Sequence, residues 1–431
     1  MRKLIDIVQS TRERAIAVGV ATYHNPIKVV KEHLEELALL ADTAGADIIK
    51  NVIQERDKFD TATYVGKGKV AEIKKIADEE NIQLIIIDDD LSPGQASNLE
   101  KELEIKVIDR SGLILDIFAK RARSSESRTQ VELAQLEYLL PRLTRLWTHL
   151  SKQFGGIGTK GPGETQIETD RRLARERISI LKKKLVQIKA QRSTQRKRRA
   201  DKIKVALVGY TNAGKSTLLN ALSNADVFVE NRLFATLDTT TRSVKLEPNR
   251  VILLTDTVGF IRKLPHHLVA SFQSTLEEVR EADIVLHVID SANEQAVDQI
   301  TTVNETLHDL EIYKKPLIYI FNKIDKMDDR SLLKEFQRTY SPSISISASR
   351  SINLNALQKM IADSINSTFT EVIIHIPLNE QNILGKIYSL AQITNQKYTE
   401  EKIILSAKIA NDQIKRVRNL LALHKNIILD F

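Results

Sequence analysis

The chain has 431 residues, of which 42% are hydrophobic and 28% charged, enough for two to four ordinarily packed domains. It contains no cysteine, which excludes a disulfide framework, a thiolate metal site and a cysteine nucleophile. A formal net charge of +8 points to a polyanionic partner wherever the excess is concentrated.

No apolar run approaches the roughly twenty residues that a membrane helix needs, and Met1-Arg-Lys-Leu-Ile-Asp6 lacks the apolar core of a signal peptide. A cytoplasmic monomer without a membrane span is therefore expected. Residues 1–118 alternate strand and helix: Ala15–Val20, a helix over 29–43, Ile48–Ile53, a helix over 69–80, Leu84–Asp88, a helix over 95–103 begun by Ser92-Pro-Gly, and Ile105–Ile108. This is a small α/β domain. Tyr64-Val-Gly-Lys-Gly-Lys69 is a weak phosphate-loop pattern that a turn before a helix explains as well. Asp88 to Asp90 point in different directions along the chain, and such a run more often ends a strand than holds a metal.

Residues 119–200 read as a basic helical hairpin. Thr129 to Leu150 is apolar at helical spacing with Pro141 marking a kink or break, and a second helix runs from Arg171 to Arg199. On that second helix Leu173, Arg177, Ile180, Leu181, Lys184 and Ile188 fall near one stripe, while the rest is rich in Arg and Lys with few acids. Gly155 to Glu164, with five of the chain's fifteen glycines, is the expected tip. A helix of about thirty residues is about 45 Å long, so the tip would project far from a compact domain. The scarcity of acids favours RNA over a merely solvated face. Tyr138, Trp147 and Phe154 are the only nearby aromatics, so phosphate and shape recognition is expected over base readout.

The chemistry lies in residues 201–366. Ile203–Val208 is a buried strand, and Gly209-Tyr210-Thr211-Asn212-Ala213-Gly214-Lys215-Ser216 follows as a Gly-x4-Gly-Lys-Ser loop, with a helix from Thr217. In that setting backbone N–H groups cradle phosphates at a helix N-terminus, Lys215 reaches the β and γ phosphates, and Ser216 ligates Mg2+. A second strand ends in Asp256-Thr257-Val258-Gly259, where Asp256 is the expected magnesium partner and Gly259 offers its N–H to a γ-phosphate. Another strand runs into Asn322-Lys323-Ile324-Asp325. A carboxylate at Asp325 can accept two hydrogen bonds from guanine, a pair that adenine cannot donate. Ser347-Ala348-Ser349 follows the last strand, its backbone aimed at the guanine O6. Phe260 stands where many regulatory GTPases carry a water-orienting glutamine, so slow intrinsic hydrolysis, well below the ~10 s⁻¹ of an activated GTPase, is expected.

These four motifs in this order resemble a translation-factor-class P-loop GTPase domain: a mostly parallel sheet with helices on both faces. By that resemblance the loop Leu233-Phe234-Ala235-Thr236-Leu237-Asp238 lies against the nucleotide and supplies one switch threonine to Mg2+. Thr236 is favoured, with Thr239 or Thr240 as alternatives. The catalytic set is then Lys215, Thr236 and Gly259, and the metal ligands are Ser216, Thr236 and Asp256. Residues 367–431 form a small C-terminal α/β domain with a strand at 371–376, a helix over 379–392, a strand at 402–408 and a helix over 411–424. It carries no chemical motif.

Over nearly its whole length the chain resembles the HflX family of bacterial GTPases. The most specific segments are Gly155–Glu164 with Thr165-Gln-Ile-Glu-Thr-Asp-Arg-Arg172, the Leu-Phe-Ala-Thr-Leu-Asp switch, and Asp256-Thr-Val-Gly-Phe-Ile-Arg262. The resemblance implies a GTPase that binds the large ribosomal subunit and its RNA through the hairpin, splits stalled ribosomes and acts in their rescue or assembly. The chain departs from the usual family pattern at Thr239, where proline is more common, and from many GTPases at Ser349, where lysine is frequent. Two other readings fit the residues: a GTP-driven enzyme remodelling free RNA, and a signalling GTPase whose basic hairpin docks a protein.

Overall fold

In the computed structural model the described residues are 12–143, 166–197, 203–223, 233–246, 250–263, 273–312, 315–327, 329, 331–367, 369–399, 401–410, 414–421, 424 and 427–430. Their contacts divide the chain into two compact units, one within 1–243 and 253–350, the other within 244–252 and 351–431.

The first unit opens with β1 (Glu13–Ala21), α1 (Ile27–Ala44), β2 (Ala46–Glu55), α2 (Lys67–Glu80), β3 (Leu84–Ile87), α3 (Pro93–Leu103) and β4 (Lys106–Asp109). The strands pair in parallel in the order β2-β1-β3-β4. Leu34, Leu37, Leu40 and Ala41 of α1 recur at helical spacing and are buried in the core. Ser92 caps α3 with a reciprocal bond to Gln95. The Tyr64–Lys69 segment is a turn that enters α2 at Lys67: the Gly66 N–H donates to Gln54 Oε1 at 2.8 Å, and Lys69 Nζ meets Glu72 at 2.7 Å. Asp88, Asp89 and Asp90 follow β3, and each is held by side chains, Asp88 and Asp89 sharing Lys263. Asp88 meets Arg110 and Lys263, Asp89 meets Tyr64 and Lys263, and Asp90 meets Ser111.

Two helices, α4 (Arg110–Arg121) and α5 (Ser125–Leu139), lead from this domain to α6 (Gln166–Lys197). The first helix of the hairpin begins at Ser125, and after Leu139 it gives way to a tight 3-10 turn, Leu140–Arg142, that contains Pro141, the expected break; residues 144–150 lie outside the described residues. α5 and α6 are tied by Arg177–Glu132 at 2.6 Å and Lys182–Glu137 at 2.8 Å. Of the proposed stripe Leu181 is buried, whereas Leu173 and Ile180 are about half exposed. The glycine-rich tip, Trp147, Phe154 and Arg198–Arg199 lie outside the described residues.

The nucleotide domain continues with β5 (Ile203–Val208), α7 (Lys215–Ser223), β6 (Thr240–Leu246), β7 (Arg250–Asp256), α8 (Gln273–Glu281), β8 (Ile284–Asp290), α9 (Ala296–Asp309), β9 (Leu317–Asn322), α10 (Ser331–Thr339) and β10 (Ser343–Ser345). The sheet order is β10-β9-β8-β5-β7-β6, with β5, β8, β9 and β10 parallel. The near-continuous apolar runs of β5, β8 and β9 suit strands covered on both faces. The phosphate, magnesium and base motifs lie at the carboxyl ends of β5, β7, β9 and β10, where open α/β sheets bind ligands.

The second unit contains α11 (Leu354–Ser367), β11 (Phe369–Pro377), α12 (Leu384–Leu390), β12 (Gln392–Tyr398), β13 (Lys402–Ala410), α13 (Ile414–Leu421) and β14 (Ile428–Asp430). The order β12-β13-β11-β14, with antiparallel pairing throughout, makes a βαββαβ split sandwich. The expected helix over 379–392 is shorter, a 3-10 turn followed by α12, and β12 begins at its end. β12 is a polar edge strand, so its sequence carries no apolar alternation to announce it.

Candidate functional site

A cavity of about 50 Å³ opens over the 209–216 loop and is lined by Thr211, Asn212, Gly214, Lys215, Ser216, Thr217, and across from them Phe234, Ala235, Thr236, Thr257 and Gly259. Three separated segments thus meet at one place. Close approach at the cavity requires glycine both in the loop and in the segment facing it. Gly214 has φ +95°, and a Cβ there would lie 2.3 Å from Asn322 Nδ2. At Gly259 a Cβ would lie 2.7 Å from Thr211 Cα and 3.1 Å from Lys215 Nζ.

Lys215 is buried, and its ammonium curls back on its own loop, donating to the Gly209 and Tyr210 carbonyls at 3.0 and 2.8 Å. Burial, with the Lys323 charge adding to it and Asp256 opposing, lowers its pKa to about 8. A buried cation held only by neutral carbonyls can donate to phosphate oxygens instead. Ser216 Oγ donates to Asp256 Oδ2 at 2.6 Å and lies 2.8 Å from Thr236 Oγ1, so these three oxygens form one cluster. Asp256 is 1% exposed, burial raises its pKa, and its Oδ1 has no hydrogen-bond partner. A buried carboxylate oxygen left unpaired beside two hydroxyls is the hard-oxygen donor set that Mg2+ takes. Thr240 instead begins β6.

Asn322 joins two loops. Its amide donates to the Ala213 carbonyl at 2.9 Å, and its Oδ1 accepts from the Ala348 N–H at 3.0 Å. Lys323, with φ 64°, donates to Asn212 O at 2.8 Å and Asp290 at 2.7 Å. Ile324 is buried beneath them. On Asp325 the Ser347 hydroxyl, with the charge of Arg350 helping, holds the carboxyl below its ordinary range. Its Oδ1 is buried without a partner, an acceptor left open for a ligand donor. Ser347 is fully buried, and its hydroxyl lies 3.2 Å from that of Ser349. Arg350, which the sequence reading overlooked, stands 3.6 Å from Asp325.

Several residues expected at the nucleotide also serve the fold, Thr257 among them although it lines the cavity. Thr257 Oγ1 donates to Leu207 O at 2.6 Å and anchors the strand end, while Val258 and Ala213 are packed in the interior. Gly209 shapes the turn with φ 149°. The Tyr210 hydroxyl bonds to Glu36 of α1 and accepts from the Arg262 N–H at 2.8 Å, facing away from the cavity. Leu237 is buried in the core shared with the N-terminal domain, and the Asp238 carboxylate points at Ser124 and the backbone of Arg123. Their side chains thus make interdomain contacts, that of Asp238 over 114 residues, which no local pattern announces. Phe260 is 2% exposed: its N–H donates to Gly209 O and its carbonyl accepts from Thr211 N–H, so switch and loop are zipped together.

A phosphate loop, a hydroxyl–carboxylate cluster at the neighbouring strand end and an open buried carboxylate after Asn-Lys define a P-loop GTPase. The chain matches the families described as GTP-binding GTPase N-terminal over residues 31–119, GTP-binding GTPase Middle Region over 121–199 and 50S ribosome-binding GTPase over 204–323. It is 43% identical over 412 residues to GTPase HflX of Caldanaerobacter subterraneus subsp. tengcongensis, covering 95% of this chain and 94% of that one. Against GTPase HflX of Flavobacterium psychrophilum it is 53% identical over 313 residues, 73% of this chain and 76% of the relative. A GTP-binding protein of Sulfolobus solfataricus, solved with GDP, is 27% identical and covers 82% of this chain and 99% of its own, with a TM-score of 0.43. The chain belongs to the HflX family of GTPases, and it is an enzyme of GTP hydrolysis. Among the described residues no helix is long and apolar enough to cross a membrane.

Proposed function

We propose that this GTPase binds the large ribosomal subunit through ribosomal RNA in the cytoplasm, as a monomer, and couples its GTP cycle to splitting, rescue or assembly of ribosomes. The observation that carries this reading is α6. It is a 32-residue helix, largely exposed and rich in Arg and Lys, that ends six residues before the strand leading into the phosphate loop. A basic face so placed favours a polyanion. The family description of residues 204–323 as a 50S ribosome-binding GTPase supports the choice of partner.

At the site, Ser216, Thr236 and Asp256 would hold Mg2+, which when bound draws negative charge off the β and γ phosphates. Lys215 exchanges its two carbonyl partners for phosphate oxygens, and the Gly259 N–H meets the γ-phosphate. Asp325 accepts from the guanine edge through its open Oδ1, while Asn322 keeps that loop in register with the phosphate loop. The buried Phe260 ring cannot orient a water, so hydrolysis waits on a group brought by the ribosome or by a rearranged switch. Sedimentation with ribosomes in a non-hydrolysable GTP analogue tests the reading. Co-migration with the large subunit that survives moderate salt and is lost in Lys215→Ala is expected. Binding indifferent to nucleotide, or confined to free RNA, would overturn it.

A further inference from the structure

The switch segment around Thr236 is held by more than the nucleotide domain. Two residues beyond it, Asp238 accepts three hydrogen bonds from the α4–α5 corner: from Arg123 N–H at 2.9 Å, Ser124 N–H at 3.2 Å and the Ser124 hydroxyl at 2.5 Å. Ser124 is also the N-cap of α5, accepting from Ser127 N–H at 3.0 Å, so the carboxylate lies at a helix N-terminus where negative charge is favoured. On the other side of Thr236, Phe234 packs edge-to-face on Phe118 of α4 with ring centroids 4.8 Å apart. Its N–H donates to Thr211 Oγ1 at 2.8 Å, and its φ is 51°. Leu233, Phe234 and Leu237 share one core with Phe118, Ala122 and Val131.

We propose that Asp238 is a positioning residue that fastens the switch loop to the N-terminus of α5 and so holds the Thr236 hydroxyl beside Ser216 and Asp256. The α4–α5 corner then acts as a built-in receptor for the closed switch. α5 is also the helix that carries Glu132 and Glu137 against α6, so closure of the switch and the position of the basic arm are mechanically linked. By reciprocity, whatever steadies the base of the arm raises affinity for the GTP-bound form by the same factor as GTP raises affinity for it. The inference rests on Thr236 being a metal ligand.

The experiment compares Asp238→Asn, Ser124→Ala and Thr236→Ala with the wild-type chain, using fluorescent GDP and a fluorescent non-hydrolysable GTP analogue across a Mg2+ titration. Asp238→Asn is expected to lower the affinity ratio of analogue to GDP at least fivefold and to raise the half-saturating Mg2+ for the analogue, with GDP affinity held within twofold. Hydrogen exchange at the Arg123 and Ser124 amides should slow on analogue binding in wild type and not in this variant. An unchanged ratio in Asp238→Asn overturns the proposal. Should that variant lose both nucleotides alike, Ser124→Ala decides by the same ratio. If Thr236→Ala leaves the Mg2+ dependence untouched, the metal-ligand reading itself has failed, a result distinct from failure of the Asp238 latch.

Discussion

Asn322→Ala is the sharpest test of how the site is assembled. The side chain is 2% exposed and satisfies two main-chain groups in different loops, the carbonyl of Ala213 and the N–H of Ala348, themselves in residues 1% and 4% exposed. Truncation leaves both without a partner in a dry place. Each buried unsatisfied group costs about 1–3 kcal/mol, and water admitted to the vacated space recovers part of it, so a net loss of about 2–4 kcal/mol is expected. The loss falls mainly on the nucleotide-bound state, because only there must the phosphate loop and the 347–349 loop be held in one register. GDP affinity should therefore drop about 30- to 1000-fold. The measurements are a fluorescent-GDP titration and hydrogen exchange at the Ala348 amide, which should speed up in parallel. Asn322→Asp keeps the acceptor for Ala348 but presents oxygen to the Ala213 carbonyl, and should exchange slowly at Ala348 while still binding GDP poorly. A GDP affinity within threefold of wild type in Asn322→Ala would refute this account of the loop.

Four further outcomes follow from other parts of the molecule. Asp325→Asn replaces the open acceptor by an amide and should reduce GDP affinity more than a hundredfold, given about 1.5–3 kcal/mol for each hydrogen bond to a charged group; competition with xanthosine diphosphate, which should improve, reads it out. Gly259→Ala drives a methyl to within 2.7 Å of Thr211 Cα and should cost the GTP analogue at least tenfold in affinity and GDP less; equal losses would count against a γ-phosphate role. His287 is buried, and burial with the Lys215 charge lowers its pKa to about 3 from 6.5. Between those values the unfolded chain takes up a proton that the folded chain refuses, so stability falls as pH drops from 6.5 towards 3. His287→Leu should remove about 2 kcal/mol of the loss between pH 7 and 5, and urea midpoints with the same pH slope in both proteins would refute this. Charge reversal at Arg171, Arg172 and Arg175 should weaken RNA binding and flatten its salt dependence, and unchanged affinity would mean that α6 docks a protein.

Much of the nucleotide domain was legible in the chain itself. Ile203–Val208, Ile284–Ile289 and Leu317–Phe321 are short apolar runs ending in loop chemistry, and β5, β8 and β9 lie within a residue of them, because strands covered on both faces need nothing but apolar side chains. The phosphate loop, Asp256 and Asn322–Asp325 announce themselves because backbone curvature, oxygen donors and guanine recognition each restrict which residues can stand at a position. The polar edge strand β12 carries no such restriction, and apart from Gln392, the last residue of the expected helix, the sequence assigns it no element.

The tertiary structure decided what local pattern cannot contain. The sequence favours Thr236 over Thr239 and Thr240 by resemblance alone, and in the folded chain its hydroxyl lies 2.8 Å from that of Ser216. Asp238 and Tyr210 sit inside nucleotide motifs, yet their side chains serve Ser124 and Glu36, 114 and 174 residues away. Arg110 is 2% exposed between Glu36 and Asp88, and Lys263 reaches across to Asp88 and Asp89. A buried charge must find its opposite wherever folding brings one, and that partner is chosen by the packing of whole domains, not by neighbours along the chain. The sequence by itself determined that this protein holds a guanine nucleotide; only the folded chain revealed that the loops around that nucleotide are bolted to the N-terminal region.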